Sequence, residues 1–490
     1  MKFEDYIREF NENDVEYIKT DIGNDEALDF LGGEIPMFEC SDKTVEKTYY
    51  FRWWTYRKHI KNTPEGYVIT EFLPDVSWSG AYNVINAAAG HHISEGRWLR
   101  NGERYLVDYI NFLFDHPEIS TKYSTWLLSA AAGLDAVKGC IDARDFLKKA
   151  MPYYESWEKL HGTETPLFWS VDGRDAMEYS ISGSPCGHAV KGIRPTLNSY
   201  MCADARTIYN FSVKAGNPLE EFSQKSDTIR GGMEKVLWRE NFFKAIHPLD
   251  GDFSEKNICS FDTSGVPREL IGYIPWCFSI PNGGDEVFEL LEDNSVFAVP
   301  EGLATAERGA NGFLGEYDHE CLWNGYVWPF ATSQTLTALL KEMQRSEKAK
   351  NKYSAMFSRL LHQYANQHKR ITEDGRDVMW IDEVLSPTSH VWTSREILKN
   401  LGWRKEKGGL ERGKDYNHST FCDLVISLLT GFSETNGNVN FAPIIPADWD
   451  YFTLDNLYIR GDRYTLKYDR DGKHYGEAGL KIYKNGKIYS

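Results

Sequence analysis

Acids set beside aromatic rings are the chemistry-bearing feature of this chain. Trp169 is followed by Asp172, Asp175 and Glu178, with Arg174 among them. Carboxylates this crowded raise at least one pKa by like-charge repulsion while the arginine holds another ionised, which is what a general acid and its neighbours need. The surrounding Trp169, Met177, Tyr179 and Ile181 argue against a merely solvated turn. A second pair, Asp382 and Glu383, lies between apolar residues just after Trp380 and before Pro387. Two carboxyl groups from different loops suit cleavage of a glycosidic bond, one protonating the leaving oxygen and the other activating water from the opposite face, ~6.5–9.5 Å apart when configuration inverts. Aromatic faces beside acids suit sugar rings, whose C–H faces stack while their hydroxyls hydrogen-bond.

Three further groups fit that chemistry as binding residues. Trp323, Asn324 and Trp328 flank Gly325 at the entrance to a helix where a ring can stack, although capping accounts for Gly325 and Pro329 nearly as well. Tyr416 and His418 open the last apolar helix and are read as hydrogen-bonding substrate or positioning water. Arg52, Trp53 and Trp54, with Arg57 and His59 at helical spacing, either frame a sugar or form an aromatic inner helix whose arginines pair with buried carboxylates. His91 and His92 are adjacent and cannot face one ligand from a helix, so no metal site and no cofactor is expected.

These loops must be held by helices. From about Lys43 to Phe432 apolar residues recur at helical spacing in segments of ~12–20 residues separated by Gly, Pro and Asn breaks. The pattern predicts helices over Tyr82 to Gly90, Gly102 to Phe114, Thr121 to Cys140, Ala143 to Leu160, Thr196 to Ala215, Leu219 to Leu237, Trp328 to Gln344, Ala349 to Gln367 and His418 to Thr430. Successive hairpins of this kind describe a mainly α fold, an (α/α)6 barrel whose connecting loops form the active-site face. After Gly431 the texture becomes β-rich, with Tyr464 to Tyr468 and Gly479 to Tyr483 as strands and Asn485-Gly486 as a hairpin turn. Residues 1–435 are therefore read as the barrel with an N-terminal extension, and 436–490 as a small antiparallel sheet packed on it.

Composition narrows the partners. The 490 residues are 41% hydrophobic and 26% charged, as in a globular protein. No apolar run approaches the ~20 residues of a membrane span, and Met1-Lys2-Phe3-Glu4 lacks the pattern of a signal peptide, so a cytoplasmic protein with no membrane partner is expected. A net charge of −17 repels phosphate backbones, which argues against nucleic acid. The eight cysteines contain no C-x-x-C pair, giving neither a zinc site nor a disulfide framework. The excess lies in 15 Trp, 28 Tyr and 26 Phe, which a large aromatic core accounts for only in part.

At the acidic and tryptophan loops the chain resembles the inverting (α/α)6 glycosidases that include processing α-glucosidases, trehalases and mannosylglycerate hydrolases, and it is also similar to α-L-rhamnosidase catalytic domains. The segment Trp323-Asn324-Gly325-Tyr326-Val327-Trp328 looks like their Trp-x-Gly-Pro-x-Trp loop, with Asn324 and Tyr326 where Arg and Pro are usual. Glu383, Pro387, Thr388 and Ser389 match the segment that carries the base glutamate, with His390 following. The resemblance thus implies Glu383 as the base. It implies an acid about twenty residues before Arg194-Pro195-Thr196-Leu197-Asn198, where Asp172 and Asp175 both fit. Spacing favours Asp172 and the burial implied by Ala176-Met177 favours Asp175, which is preferred narrowly.

The expectation is an exo-acting, metal-independent, inverting glycoside hydrolase, an α-glycosidase by resemblance, acting on a small soluble glycoside or oligosaccharide. A sugar epimerase on the same barrel would use histidines such as His59, His91, His92, His188 and His418. A silent carbohydrate-binding protein would keep the tryptophans and misplace a carboxylate. The sequence carries no reading of the sugar, the linkage or the oligomeric state.

Overall fold

A computed structural model describes residues 2–248 and 251–489. Six inner helical elements form a ring in which each touches the next: Ala89–Gly96, Leu127–Lys138, Pro195–Lys214, Ile274–Cys277, Pro329–Arg345 and Cys422–Thr430, the last returning to the first. Outer helices back them, among them Gly102–Asp115, Ala143–His161, Glu220–Val236 and Glu347–Asn366. A 3-10 stretch, Asp285–Glu292, stands in one outer place and lays Phe288 against Tyr273 and Trp276. The architecture is the (α/α)6 barrel that the hairpin pattern predicts.

The element ends have local causes. Asp42 and Asp142 cap helix N-termini by accepting backbone N–H groups, Pro195 and Pro329 sit at first helical positions, and Gly139 and Gly431 end helices in the left-handed conformation. Three expected helices begin later than the pattern predicts, at Ala89, Leu127 and Cys422 rather than Tyr82, Thr121 and His418, and the first has a clear cause. Residues 82 to 88 do not continue a helix, which begins only at Ala89. Tyr82 and Asn83 adopt left-handed φ, and the Asn83 amide donates to the carbonyls of Phe72 and Pro74 while accepting from Val76 N. Short amide side chains compete with helical bonding in this way.

Helix Lys43–Lys58 lies outside the inner ring, against Cys422–Thr430 and Glu347–Asn366, and the N-terminal helix Phe3–Glu12 covers it. It is therefore buried on all sides, which explains its continuous aromatic run. The C-terminal strands Tyr451–Ile459, Asp462–Asp469, Gly479–Lys484 and Lys487–Ile488 form an antiparallel sheet. Met37–Cys40 pairs with Tyr451–Ile459 as its other edge, so the sheet draws a strand from the N-terminal part of the chain. Asn485 and Gly486 both have positive φ, as a two-residue hairpin turn of this type requires. Among the described residues no helix is long and apolar enough to cross a membrane.

Candidate active site

The segments that lead into five inner helices converge on one cavity of about 370 Å³, in the size class of small-molecule sites (~300–1,000 Å³). Glu71 to Ala87, Tyr123, Ala176 and Glu178, His319 to Trp328, and Glu383 to His418 all contribute. Helix N-termini therefore surround the site, and the loops are stitched together. Trp323 N donates to the carbonyl of Glu178, and Val327 and Leu385 exchange backbone bonds at 3.0 and 2.9 Å. The three loops singled out by their acids and tryptophans are thus adjacent layers of one wall.

Glu383 is fully buried. Its Oε1 accepts from Arg412 Nε at 3.0 Å and Nη2 at 2.7 Å, while Oε2 has no partner. Burial pushes its pKa up to about 7 against the pull of Arg412. The neighbouring Asp382 is fully engaged instead, accepting from Glu383 N, Ser394, Arg395 and Trp380. Gly413, at φ +76°, lets the loop carrying Arg412 press on Asp382, where any Cβ would collide with the carboxylate.

Glu178 is half-buried on the cavity wall, and among the described residues no side chain donates to its carboxylate. Left-handed Ala176 and Tyr179 on either side turn it inward. Burial in the pocket, with Asp172 and Glu383 nearby, raises its pKa to about 8. Glu71 is another of the five carboxyls that line the cavity, with Glu320 and Glu406 the remaining two. Its Oε1 accepts from Tyr416 OH at 2.5 Å, its Oε2 has no partner, and burial raises it to about 8.

Asp172 and Asp175 do not line the cavity. Asp175 accepts from Arg194 Nε at 2.6 Å, from Thr196, from Ser124 at 2.8 Å and from Ser170 at 3.0 Å. Asp172 takes Ser184 Oγ at 2.5 Å and Gly173 N at 2.8 Å. Both hold the loop that presents Glu178.

The binding residues read from the sequence divide in the same way. Trp323 and Trp328 stack at 4.5 Å and line the cavity, with Tyr416 and His418 stacked at 3.6 Å beside them. Asn324 instead ties its own loop, donating to the carbonyls of Gly312 and Gly315. Trp169 lies under Lys191, and Trp380 is sandwiched by Arg370 and Arg395. Trp53 packs on Tyr49 and Tyr56, and Trp54 on Phe10 and Phe51. Arg52 donates to Ser419 O at 2.6 Å and so anchors the residue after His418. His59, His91 and His92 lie in the core away from the lining, whereas His418 faces it as a neutral imidazole held well below its usual pKa by burial. Among the described residues no group of three or more His, Cys, Asp or Glu side chains is placed to hold a metal ion.

Sequence reading missed Glu71, Arg412 and the aromatic pair Phe72 and Trp78, between which the Arg412 guanidinium lies at 4.8 and 4.5 Å. Arg412 also bonds Glu320, which Lys407 holds as well. Although burial raises the Glu320 pKa, the two cations outweigh it and bring it to about 2. None of these sits in a recognisable spacing; the only sequence signal was a lone arginine two residues before Lys414-Asp415-Tyr416.

The family profile of the mannosylglycerate hydrolase MGH1-like glycoside hydrolase domain matches residues 81–419. A solved structure described as a sialidase superposes with a TM-score of 0.84 at 33% identity, covering 100% of this chain and 44% of that one, so this chain spans under half its length. The mannosylglycerate hydrolase of Thermus thermophilus, in complex with Tris and D-glycerate, matches with a TM-score of 0.53 at 10% identity over 77% of this chain and 100% of that one. A rhamnosidase of Bacillus sp. GL1 gives 0.53 at 13%, over 92% of this chain and 41% of that one. The last two share the barrel fold. With its profile match spanning most of the loops of the cavity, the chain belongs to the mannosylglycerate hydrolase MGH1-like glycoside hydrolase domain family.

Proposed function

We propose that the chain is an inverting, exo-acting glycoside hydrolase for a small soluble glycoside or oligosaccharide, with Glu383 as base and Glu178 as acid. The observation that carries this reading is that two carboxyls face one cavity from different loops, Glu383 fully buried with one unengaged oxygen and Glu178 half-buried with no side-chain donor among the described residues. Catalytic pairs are recognised by environments that push their pKa values apart. Arg412 supplies the asymmetry here: it bonds Glu383 directly and stabilises its anion, whereas Glu178 is not in contact with it and burial favours its protonated form. Glu178 then protonates the leaving oxygen, while Glu383 Oε2 takes a proton from water attacking the anomeric carbon. The sugar stacks on the Trp323 and Trp328 face. This reading moves the acid from Asp175 to Glu178, because Asp175 spends its oxygens on four internal donors and does not reach the cavity.

Proton NMR in the first minutes of hydrolysis, before mutarotation, tests the reading. A first-formed sugar of opposite anomeric configuration to the substrate is expected. Retention would make Glu383 a nucleophile, and the absence of hydrolysis across α- and β-glycosides would remove the enzymatic reading.

A further inference from the structure

Four polar groups of the cavity wall have buried polar atoms without a partner among the described residues: Glu71 Oε2, Trp323 Nε1, both ring nitrogens of His418, and Glu383 Oε2. Orphaned buried polar atoms are costly, and a cluster of them on one concave surface marks groups that a ligand completes. Glu383 is assigned to water. The remaining three belong to elements that hold one another. Glu71 takes Tyr416 OH on its other oxygen, its carbonyl accepts from Asn417 N at 3.1 Å, and Tyr416 stacks on His418. Trp328 and Phe330 pack against His418 from the tryptophan side.

The cations of the cavity point to the ligand's charge. Arg412 gives Nε and Nη2 to Glu383 and Nη1 to Glu320 and the Lys407 carbonyl, so its fork is used up. Lys407 Nζ sits between both oxygens of Glu320 at 2.8 and 2.6 Å, and Arg404 at the exposed rim pairs with Glu406. A carboxylate on the bound ring would be buried with no free counter-cation to offset its lost hydration. Hydroxyl groups, by contrast, both donate and accept, as the orphaned carboxyl, imidazole and indole require.

We propose that Glu71, His418 and Trp323 form a hydroxyl-reading subsite for an uncharged sugar ring, with Glu71 determining specificity and taking no part in protonating the leaving group. This rests on the glycosidase reading above and deepens it.

Binding is measured apart from turnover, by titrating the intrinsic tryptophan fluorescence of the whole chain with methyl glycosides of neutral hexoses and deoxyhexoses and with the matching uronates. At least one uncharged glycoside should bind, with the matching uronate at least ~10-fold weaker, and Glu71→Gln should weaken the uncharged ligand ~10-fold or more. Equal or tighter binding of the uronate, no response to any uncharged glycoside, or unaltered affinity in a folded Glu71→Gln variant would overturn the proposal. These readouts do not require hydrolysis, so they fail separately from the glycosidase reading. On aryl glycosides of graded leaving-group acidity, Glu71→Gln should lower kcat/KM by the same ~10–100-fold throughout. A loss that grows as the leaving group worsens would make Glu71 the acid and sink its assignment. Should Glu71→Gln fail to fold, Tyr416→Phe keeps the ring stack, releases Oε1 and must weaken the same uncharged ligand, while the uronate comparison stands on the wild-type chain.

Discussion

Two sets of acids sit around the cavity, with members only one and three residues apart in the same loops, and behave oppositely. Asp175 and Asp382 each accept from four donors, and every lone-pair direction is taken by a hydroxyl, an arginine, an indole or a backbone N–H. Glu178, Glu383 and Glu71 each keep oxygen capacity open toward the cavity. Within these loops the saturated carboxyls tie segments together and the unsaturated ones are those proposed for chemistry, so hydrogen-bond saturation separates the two proposed roles better than burial, which Asp175 and Glu383 share.

The sharpest way to break that comparison is to neutralise one member of each set. Glu383→Gln should reduce hydrolysis by ~10²–10⁴-fold or more with the fold intact, measured as kcat/KM alongside circular dichroism. Glu178→Gln should lose as much on glycosides with poor leaving groups and far less on activated aryl glycosides, which need little protonation. Near-normal turnover by either folded variant would remove it from the mechanism.

Asp175→Asn should act on stability instead. It leaves Arg194 buried without its anion, which costs ~3–5 kcal/mol, visible as a lower urea midpoint with an unchanged slope. If Asp175→Asn keeps its stability and shows the leaving-group selectivity expected of Glu178→Gln, the two sets exchange roles.

Arg412 distinguishes the two members of the proposed acid and base pair. Arg412→Met removes the guanidinium that holds the Glu383 pKa down, so the ascending limb of the pH profile of kcat/KM, near pH 7 in the wild type, should move upward while the descending limb near pH 8 moves less. A profile displaced equally on both limbs would contradict the assignment of Arg412 to Glu383.

The smallest effect is on stability against pH. Glu71 and Glu178 are raised by burial to about 8 and Glu383 to about 7, above the ~4 of unfolded carboxyls. Between those values the folded chain binds more protons than the unfolded chain, so these groups make stability fall as pH rises from ~4 through about 8. Glu71→Gln should flatten that slope in thermal melts, whereas an unchanged slope would mean that Glu71 titrates alike in both states.

Much of the site was legible because its signals are local. The indole pair Trp323 and Trp328 opens a proline-started helix, and Glu383 lies in an apolar segment before Pro387, features of spacing and residue type that need no knowledge of the fold. The helical periodicity was likewise legible, since burying one face of each segment is a property of that segment alone. Glu71 and Arg412 were not legible. They are 341 residues apart along the chain, and nothing in Thr70-Glu71-Phe72 or Glu411-Arg412-Gly413 differs from an ordinary turn.

The ring of helical hairpins, the β-rich C-terminal segment and the identity of the loops that carry acids and tryptophans follow from residue order alone. The tertiary structure alone decided which acids those loops turn inward. Within residues 172 to 178 that choice depends on Ser124, Arg194 and Thr196 arriving to saturate Asp175, and on left-handed Ala176 and Tyr179 rotating Glu178 into the cavity. A carboxyl's role follows from the donors around it, and those donors are assembled only when distant segments of the chain meet.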